Sequence, residues 1–349
     1  MTNVAAISKR HLPLLTNSSL TAFRRCPREY QFRYGMNRKA RRKAAALRFG
    51  FLFHQGLNAW WSCSDVPHSA RLFVAIESMR CAPEEDGEPT DPFDLAKAEC
   101  LMIGYTARWG DEPYETIAVE QQFRSEIVIS SSRAPAYELG GSIDAIVRKG
   151  TGVFSHPYEW HNIEHKTTSA DISSGSDYWR RVIALDSQVS TYDAASRAMG
   201  YDIRSTIYDV IRKPEIQPLK ATPEDAKKYT KPTKKDPIPR LYANQREADE
   251  TLDEYRTRLT EDIIKRPEWY FQRNEIVRLD HDNEAHALDI VHTAEMIRHA
   301  TDRNAWPRSP NACERYHRLC EFFPVCSGET TIEDDVRYET KTSQHEELE

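Results

Sequence analysis

Residues 141–147, Gly-Ser-Ile-Asp-Ala-Ile-Val, alternate as a half-buried strand does. Gly150 and Gly152 mark a turn, and residues 160–167 return to strand character, so the stretch predicts a hairpin. Before it, Asn17-Ser18-Ser19 predicts the cap of a helix running through Leu20, Phe23 and Cys26, with Pro27 interrupting or restarting it. Residues 49–61 form an apolar helical run in which Leu57, Asn58 and Trp61 share a face with His54. Asp91-Pro92 supplies an N-cap and first-turn pair for a helix over 93–109. Residues 116–123 read as a strand, with 125–130 its continuation or partner. After the hairpin come a helix over 178–199, closed by Gly200, and a strand over 204–211. Residues 247–264 and 284–300 are charged amphipathic helices, with 270–273 a short strand or turn between them. Helices, strands, helix, strand is the order of a mixed α/β core with helical additions.

Residues 214–244 break this rhythm with six prolines and many lysines, and read as a long connection. The chain of 349 residues then divides into a loose lead-in over 1–15, a single domain over 16–328 and an acidic tail over 329–349 expected to be mobile. The net charge of −6 is uneven. Residues 329–349 carry eight acids and two bases, so the remainder is neutral overall. Within that remainder, residues 24–48 hold ten bases against the single acid Glu29. A basic stripe of this kind is either a solvated helix face or a footprint for phosphates. No apolar run reaches membrane-spanning length and the opening residues lack a signal-peptide pattern, which places the chain in the cytoplasm with no membrane partner.

The predicted hairpin brings Asp144 near Glu164 and Lys166. Two carboxylates offer the hard oxygen ligands that Mg²⁺ and Mn²⁺ prefer. Lys166, two residues beyond Glu164 and on the same strand face, can hold a water or phosphoryl oxygens. Strands often show Asp, Glu and Lys to solvent, so the pattern alone carries little. Glu120, before the motif strand, either assists the site or, as the better reading, is a surface strand glutamate, and His165, facing away from Glu164 and Lys166, reads as buried filler.

Seven cysteines without a signal peptide disfavour a disulfide framework. Cys313, Cys320 and Cys326 crowd into a Cys-rich clip over 306–328, and three soft ligands need a fourth. Cys26 is the natural candidate, His317 is a rival, and zinc is an alternative to iron and sulfide. Cys63, Cys81 and Cys100 read as ordinary buried or partly buried thiols.

Taken in order, Ser18-x-Leu20-x-x-Phe23-x-x-Cys26-Pro27, the helix with His54, Gly141-x-Ile143-Asp144, Glu164-x-Lys166, Gln188-x-x-x-Tyr192 and the terminal cysteines resemble the RecB-like branch of the PD-(D/E)XK nuclease superfamily. More closely they resemble iron–sulfur exonucleases related to AddB and to CRISPR-adaptation nucleases, with many phage-encoded relatives. The resemblance implies an α/β, restriction-endonuclease-like core: a mixed central sheet flanked by helices. It implies a metal-dependent DNA exonuclease of a bacterial or phage-infected cell, acting in recombination, repair or phage DNA processing on DNA that is single-stranded or has a free end. By the same resemblance His54, Asp144 and Glu164 bind Mg²⁺ or Mn²⁺ and Lys166 positions the nucleophile. Gln188 and Tyr192 line the site, and Cys26, Cys313, Cys320 and Cys326 hold a [4Fe–4S] cluster. A non-cleaving DNA-binding module and an endonuclease on the same core are the alternatives. Which recombination or helicase protein it works with, if any, stays open. Two features depart from the pattern: six residues separate Cys313 from Cys320 where a closer pair is common, and His165 stands where a small or apolar residue is usual.

Overall fold

The computed structural model describes residues 12–41, 45–82, 89–130, 134–232, 238–315 and 318–348. The chain opens with strand β1 (Leu14–Thr16) and helix α1 (Asn17–Arg25). Thr16 and Ser19 cap α1 reciprocally, each hydroxyl accepting the other's backbone N–H, so the cap falls one residue before the Asn-Ser-Ser run. Helix α2 (Pro27–Tyr30) and a π-helical turn, Gln31–Gly35, lead to strand β2 (Arg38–Ala40). Three helices follow: α3 (Ala45–Ser62), α4 (His68–Arg80) and α5 (Pro92–Trp109). Asp91 caps α5 by accepting from Phe93 N at 2.7 Å, as the Asp-Pro pair predicts.

Next come β3 (Glu115–Val128), β4 (Pro135–Val153) and β5 (His156–Thr168), then helices α6 (Asp177–Leu185) and α7 (Ser187–Ala198) and strand β6 (Ile203–Arg212). Beyond the long connection lie α8 (Leu252–Lys265), α9 (Pro267–Tyr270), β7 (Phe271–Ile276) and α10 (Asp280–Asp302). The chain ends in β8 (Glu314–Arg315), β9 (Arg318–Leu319), α11 (Phe323–Ser327) and β10 (Tyr338–Thr340).

The sheet is mixed. Strand β3 runs antiparallel along nearly all of β4 on one edge. On the other edge β4 pairs first with β1, in parallel over Glu138 to Gly140, and then with β5, antiparallel from Ala145 onward. The change of partner falls across residues 141–144, which opens that edge at Asp144. Strand β5 continues parallel to β6, and β6 antiparallel to β7.

Each sheet face buries its own core. Ala145, Val147, Ile163, Ile207, Ile211 and Phe271 pack under α3, α4, α5 and α8; Leu139, Ile143 and Ile146 pack under α1, α7 and α10. This is the mixed α/β architecture, a central sheet flanked by helices, that the element order predicts. Among the described residues no helix is long and apolar enough to cross a membrane.

The structure departs from the sequence reading in several places. The helix expected over 178–199 is two, broken at Asp186, which caps Gln188 N and accepts a hydrogen bond from Tyr208 of β6. Helix α4 has no counterpart in the reading. Residues 14–15, assigned to the loose lead-in, belong to a sheet strand; residues 1–11 lie outside the described residues. The acidic segment expected to be mobile is packed down: β10 pairs antiparallel with β2, and Ile332 and Tyr338 are buried against Phe32 and Phe322. Cys100 is buried and Cys63 half-buried, but Cys81 is exposed.

Candidate active site and metal centre

Helix α3 is held down by Phe53, Leu57, Trp60 and Trp61, all buried, and this fixes the neighbouring polar residues His54 and Asn58 over the sheet. His54 Nε2 lies 3.2 Å from Glu120 Oε1 and 3.5 Å from Asp144 Oδ1. One ligand atom from each of His54, Glu120 and Asp144 falls within 4.8 Å of the others. Asn58 donates to Glu120 Oε1 at 2.7 Å, and Ser142 Oγ donates to Glu120 Oε2 at 2.6 Å. Glu120 has φ +50°, a left-handed conformation that costs a non-glycine residue about 1–3 kcal/mol. Strain of that kind persists where the surroundings over-determine it; here three side chains hold the carboxylate. Reading Glu120 as a plain surface residue therefore missed a member of the cluster. Strand alternation could not have found it, because its backbone leaves the extended region.

Glu164 lies on β5 beside this group and outside the 4.8 Å set. One of its oxygens accepts from Lys166 Nζ, which also donates to Gln188 Oε1 at 2.9 Å; Gln188 Nε2 in turn donates to Tyr192 OH at 3.0 Å. The other oxygen, Glu164 Oε2, is buried without a hydrogen-bond partner. An orphaned buried carboxylate oxygen is expensive unless a cation or donor meets it. Together with the His54, Glu120 and Asp144 donors, it fits a hard divalent cation.

The electrostatics separate the two motif carboxylates. Burial alone would raise Asp144, but His54, then His165 and Lys166, outweigh it and hold Asp144 well below the usual carboxylate range. Glu164 is pushed up, first by burial and then by the charge of Asp144. For His54, burial lowers the pKa, and Asp144 and Glu120 overcome that and raise it to about 10. Burial likewise works against the Lys166 ammonium, but Glu164 and Asp144 keep it cationic.

Behind the site, His165 is buried and is no ligand of this group, yet it is more than filler. Its backbone N–H donates to Asp144 Oδ2 at 2.7 Å, and its ring Nδ1 lies 2.9 Å from Asp209 Oδ2. Asp209 also accepts from Tyr105 OH at 2.8 Å and pairs with Arg273. Gly141 sits where a Cβ would meet Phe123 at 2.6 Å and Tyr192 at 3.0 Å, so the glycine of the Gly-x-Ile-Asp stretch lets the Tyr192 ring close over β4.

Far along the chain, Cys26, Cys313, Cys320 and Cys326 all line one pocket of about 470 Å³, with Glu29 and Arg308 on its wall. None is in a disulfide. Burial pushes the Cys320 thiol up to about 11 and raises Cys326. His317, the rival ligand, lies outside the described residues.

A search of curated proteins finds no match. Among solved structures, the one titled "Crystal structure of SSO0001" aligns at 14% identity over 74% of this chain and 78% of that one, with a TM-score of 0.26. The sequence profile described as the PD-(D/E)XK nuclease superfamily matches residues 15–327. That span runs from β1 to the end of α11 and contains the site on β3, β4, β5, α3 and α7 together with all four pocket cysteines, and the chain belongs to the PD-(D/E)XK nuclease superfamily.

Proposed function

We propose that this protein is a metal-dependent DNA exonuclease of the RecB-like, iron–sulfur type. The observation that carries the reading is the convergence of His54, Glu120 and Asp144 within 4.8 Å, beside a Glu164–Lys166 pair with an orphaned carboxylate oxygen. His54, Glu120, Asp144 and Glu164 would hold Mg²⁺ or Mn²⁺. Such an ion lowers the pKa of a water and screens charge on a phosphate. Lys166, kept cationic and braced by Glu164 and Gln188, orients the attacking water or a phosphoryl oxygen. Tyr192 fixes Gln188 and so the direction of the ammonium. Asn58 and Ser142 hold the Glu120 carboxylate toward His54.

The four thiols fit a [4Fe–4S] cluster or a zinc ion by their donor set and by sharing one pocket. The group would be structural, since it would tie the α1–α2 junction to the C-terminal clip in a pocket that shares no lining residue with the Asp144 cluster. Brown colour and absorbance near roughly 400 nm in anaerobically purified protein support iron and sulfide; a colourless protein with stoichiometric zinc selects the alternative. Cleavage of linear and circular single-stranded DNA with Mg²⁺ or Mn²⁺ tests the activity. Loss of cutting in both Asp144→Ala and Lys166→Ala supports the assignment, and undiminished cutting by both ends it. Cutting of the circle assigns an endonuclease instead, because a strict exonuclease needs an end.

A further inference from the structure

The acidic C-terminal segment does not hang in solvent; it lies on the basic stripe. Arg38 pairs with Asp335 at 3.1 Å, Lys39 with Glu346 at 2.9 Å and Glu339 at 3.5 Å, and Arg41 with Glu339 at 3.3 Å. Arg38 also donates to the carbonyl of Ile332 at 2.8 Å, and β10 pairs with β2 residue for residue from Tyr338↔Ala40 to Thr340↔Arg38. The segment therefore sets Glu339 of the extended strand β10 against Lys39 and Arg41, with Asp335 and Glu346 in the turns on either side, so that carboxylates spaced along it meet Arg38, Lys39 and Arg41 as the phosphates of a phosphodiester backbone would.

The acidic segment continues from these bases toward the candidate metal site. Beyond Glu346 the short turn Glu346–Leu348 reaches the sheet, where Gln122 Nε2 donates to Leu348 O at 2.8 Å. Gln122 is the register partner of Ser142, whose hydroxyl holds Glu120. The segment thus links the basic strand β2 to the edge of the candidate centre. Its anchors are Ile332 and Tyr338 in the cluster with Phe32 and Phe322, together with the buried Lys341 and His345 against Tyr34, whereas its ion pairs to β2 are partly exposed. Partly exposed pairs of this kind are individually weak and are screened by salt.

We infer that Arg38, Lys39 and Arg41 form the track for a nucleic-acid backbone approaching the metal site, and that residues 329–348 are a resident polyanion occupying it. The inference rests on the nuclease reading and adds its regulation: substrate phosphates must displace Asp335, Glu339 and Glu346 from the bases while the Ile332 and Tyr338 anchors stay seated. The test is fluorescence anisotropy with a labelled oligothymidylate, in EDTA so that nothing is cut, across a salt series. The full chain is compared with the combined variant Asp335→Asn, Glu339→Gln, Glu346→Gln and with Arg38→Gln, Lys39→Gln, Arg41→Gln. The acid-neutralised chain is expected to bind about tenfold tighter at low salt, with the slope of log affinity against log salt steeper by about 2 for three added phosphate contacts. The base-neutralised chain is expected to bind more weakly than the acid-neutralised one. Glu339→Gln alone, whose carboxylate meets both Lys39 and Arg41, gives the same sign at smaller size and guards against loss of fold in the triple variant. Unchanged or weaker binding by the acid-neutralised chains overturns the inference and leaves the nuclease reading intact. Failure of every form to bind, the parent included, also overturns the inference, while the nuclease reading stands or falls by the cleavage assay with Mg²⁺ or Mn²⁺.

Discussion

His54 stands between two carboxylates, and their field decides its charge. With no cation bound, Asp144 and Glu120 overcome burial and lift its pKa from 6.5 to about 10, so near neutral pH the imidazolium offsets one of the two carboxylate charges. A raised folded pKa stabilises the metal-free fold fully below about pH 6.5, and that stabilisation is lost as pH rises through about 10. A divalent cation needs neutral His54 and must displace this proton. Mn²⁺ affinity is therefore expected to rise with pH by more than tenfold per unit below about pH 8, where Glu164 must also lose its proton, and by about tenfold per unit from there to about pH 9, where close to one proton is released per ion. Calorimetry in buffers of different ionisation enthalpy reads both quantities; a flat profile contradicts the role given to His54. Glu120→Gln keeps the hydrogen bond from Asn58 but removes the charge facing His54. Mn²⁺ binding is expected to weaken by about 10- to 100-fold. Unaltered affinity would return Glu120 to the surface role its position in the strand suggests.

At the scale of elements, the glycine at 141 and the break at 186 shape the site. Gly141→Ala places a Cβ against Phe123 and Tyr192, and overpacking of this kind costs about 1–3 kcal/mol. Thermal denaturation should show that loss, and a Phe123→Leu second change, which makes room, should recover part of it. Asp186→Ala removes both the cap of α7 and the acceptor for Tyr208, and α7 carries Gln188 and Tyr192. A cost of about 1 kcal/mol or more is expected. What the sequence made legible follows from range. The α5 boundary is written locally in Asp91-Pro92 and appears where expected; the β4–β5 hairpin is written in alternation, but its turn falls at residues 154–155, because Gly150 and Gly152 lie within β4 at a register irregularity and not at the reversal. The Asp186 break answers to Tyr208 on another strand, and β1 is three residues long with its partner more than a hundred residues away. Helix α4 buries only Arg71, Ala75 and Met79 and exposes Phe73 and Val74, so its apolar stripe is blurred. In the candidate site, Asp144, Glu164 and Lys166 were readable because one hairpin carries all three. Glu120 was not, because a left-handed backbone and a helix from elsewhere in the chain bring it in.

Across the described molecule, residues 26–40 are joined to residues 306–340, and the thiol pocket sits at the join. Arg28 donates to the carbonyl of Trp306 at 3.0 Å, Tyr30 stacks on Trp306 at 5.9 Å, and Phe32 meets Phe322 at 5.3 Å. Cys320 and Cys326 pack against the same apolar cluster that seats Ile332 and Tyr338. A link from Cys26 to the C-terminal trio closes nearly the full length of the chain, worth on the order of 4–5 kcal/mol in the chain-entropy picture. The surrounding aromatic contacts remain when the link is cut, so the loss should be local opening and not collapse of the sheet. If the thiols hold iron or zinc as proposed, Cys26→Ser should lower the metal content relative to the parent and raise hydrogen exchange at the β2–β10 pair and in the 306–327 segment, while β4 and β5 keep their protection. Exchange mass spectrometry with metal analysis separates the outcomes. Exchange at the two ends identical to the parent would make the thiols bystanders, and uniform deprotection would make the clip part of the core. Because the acidic segment is seated on this cluster, the same opening should uncover Arg38, Lys39 and Arg41 and tighten oligonucleotide binding, so that the state of the thiol pocket and access to the basic track change together.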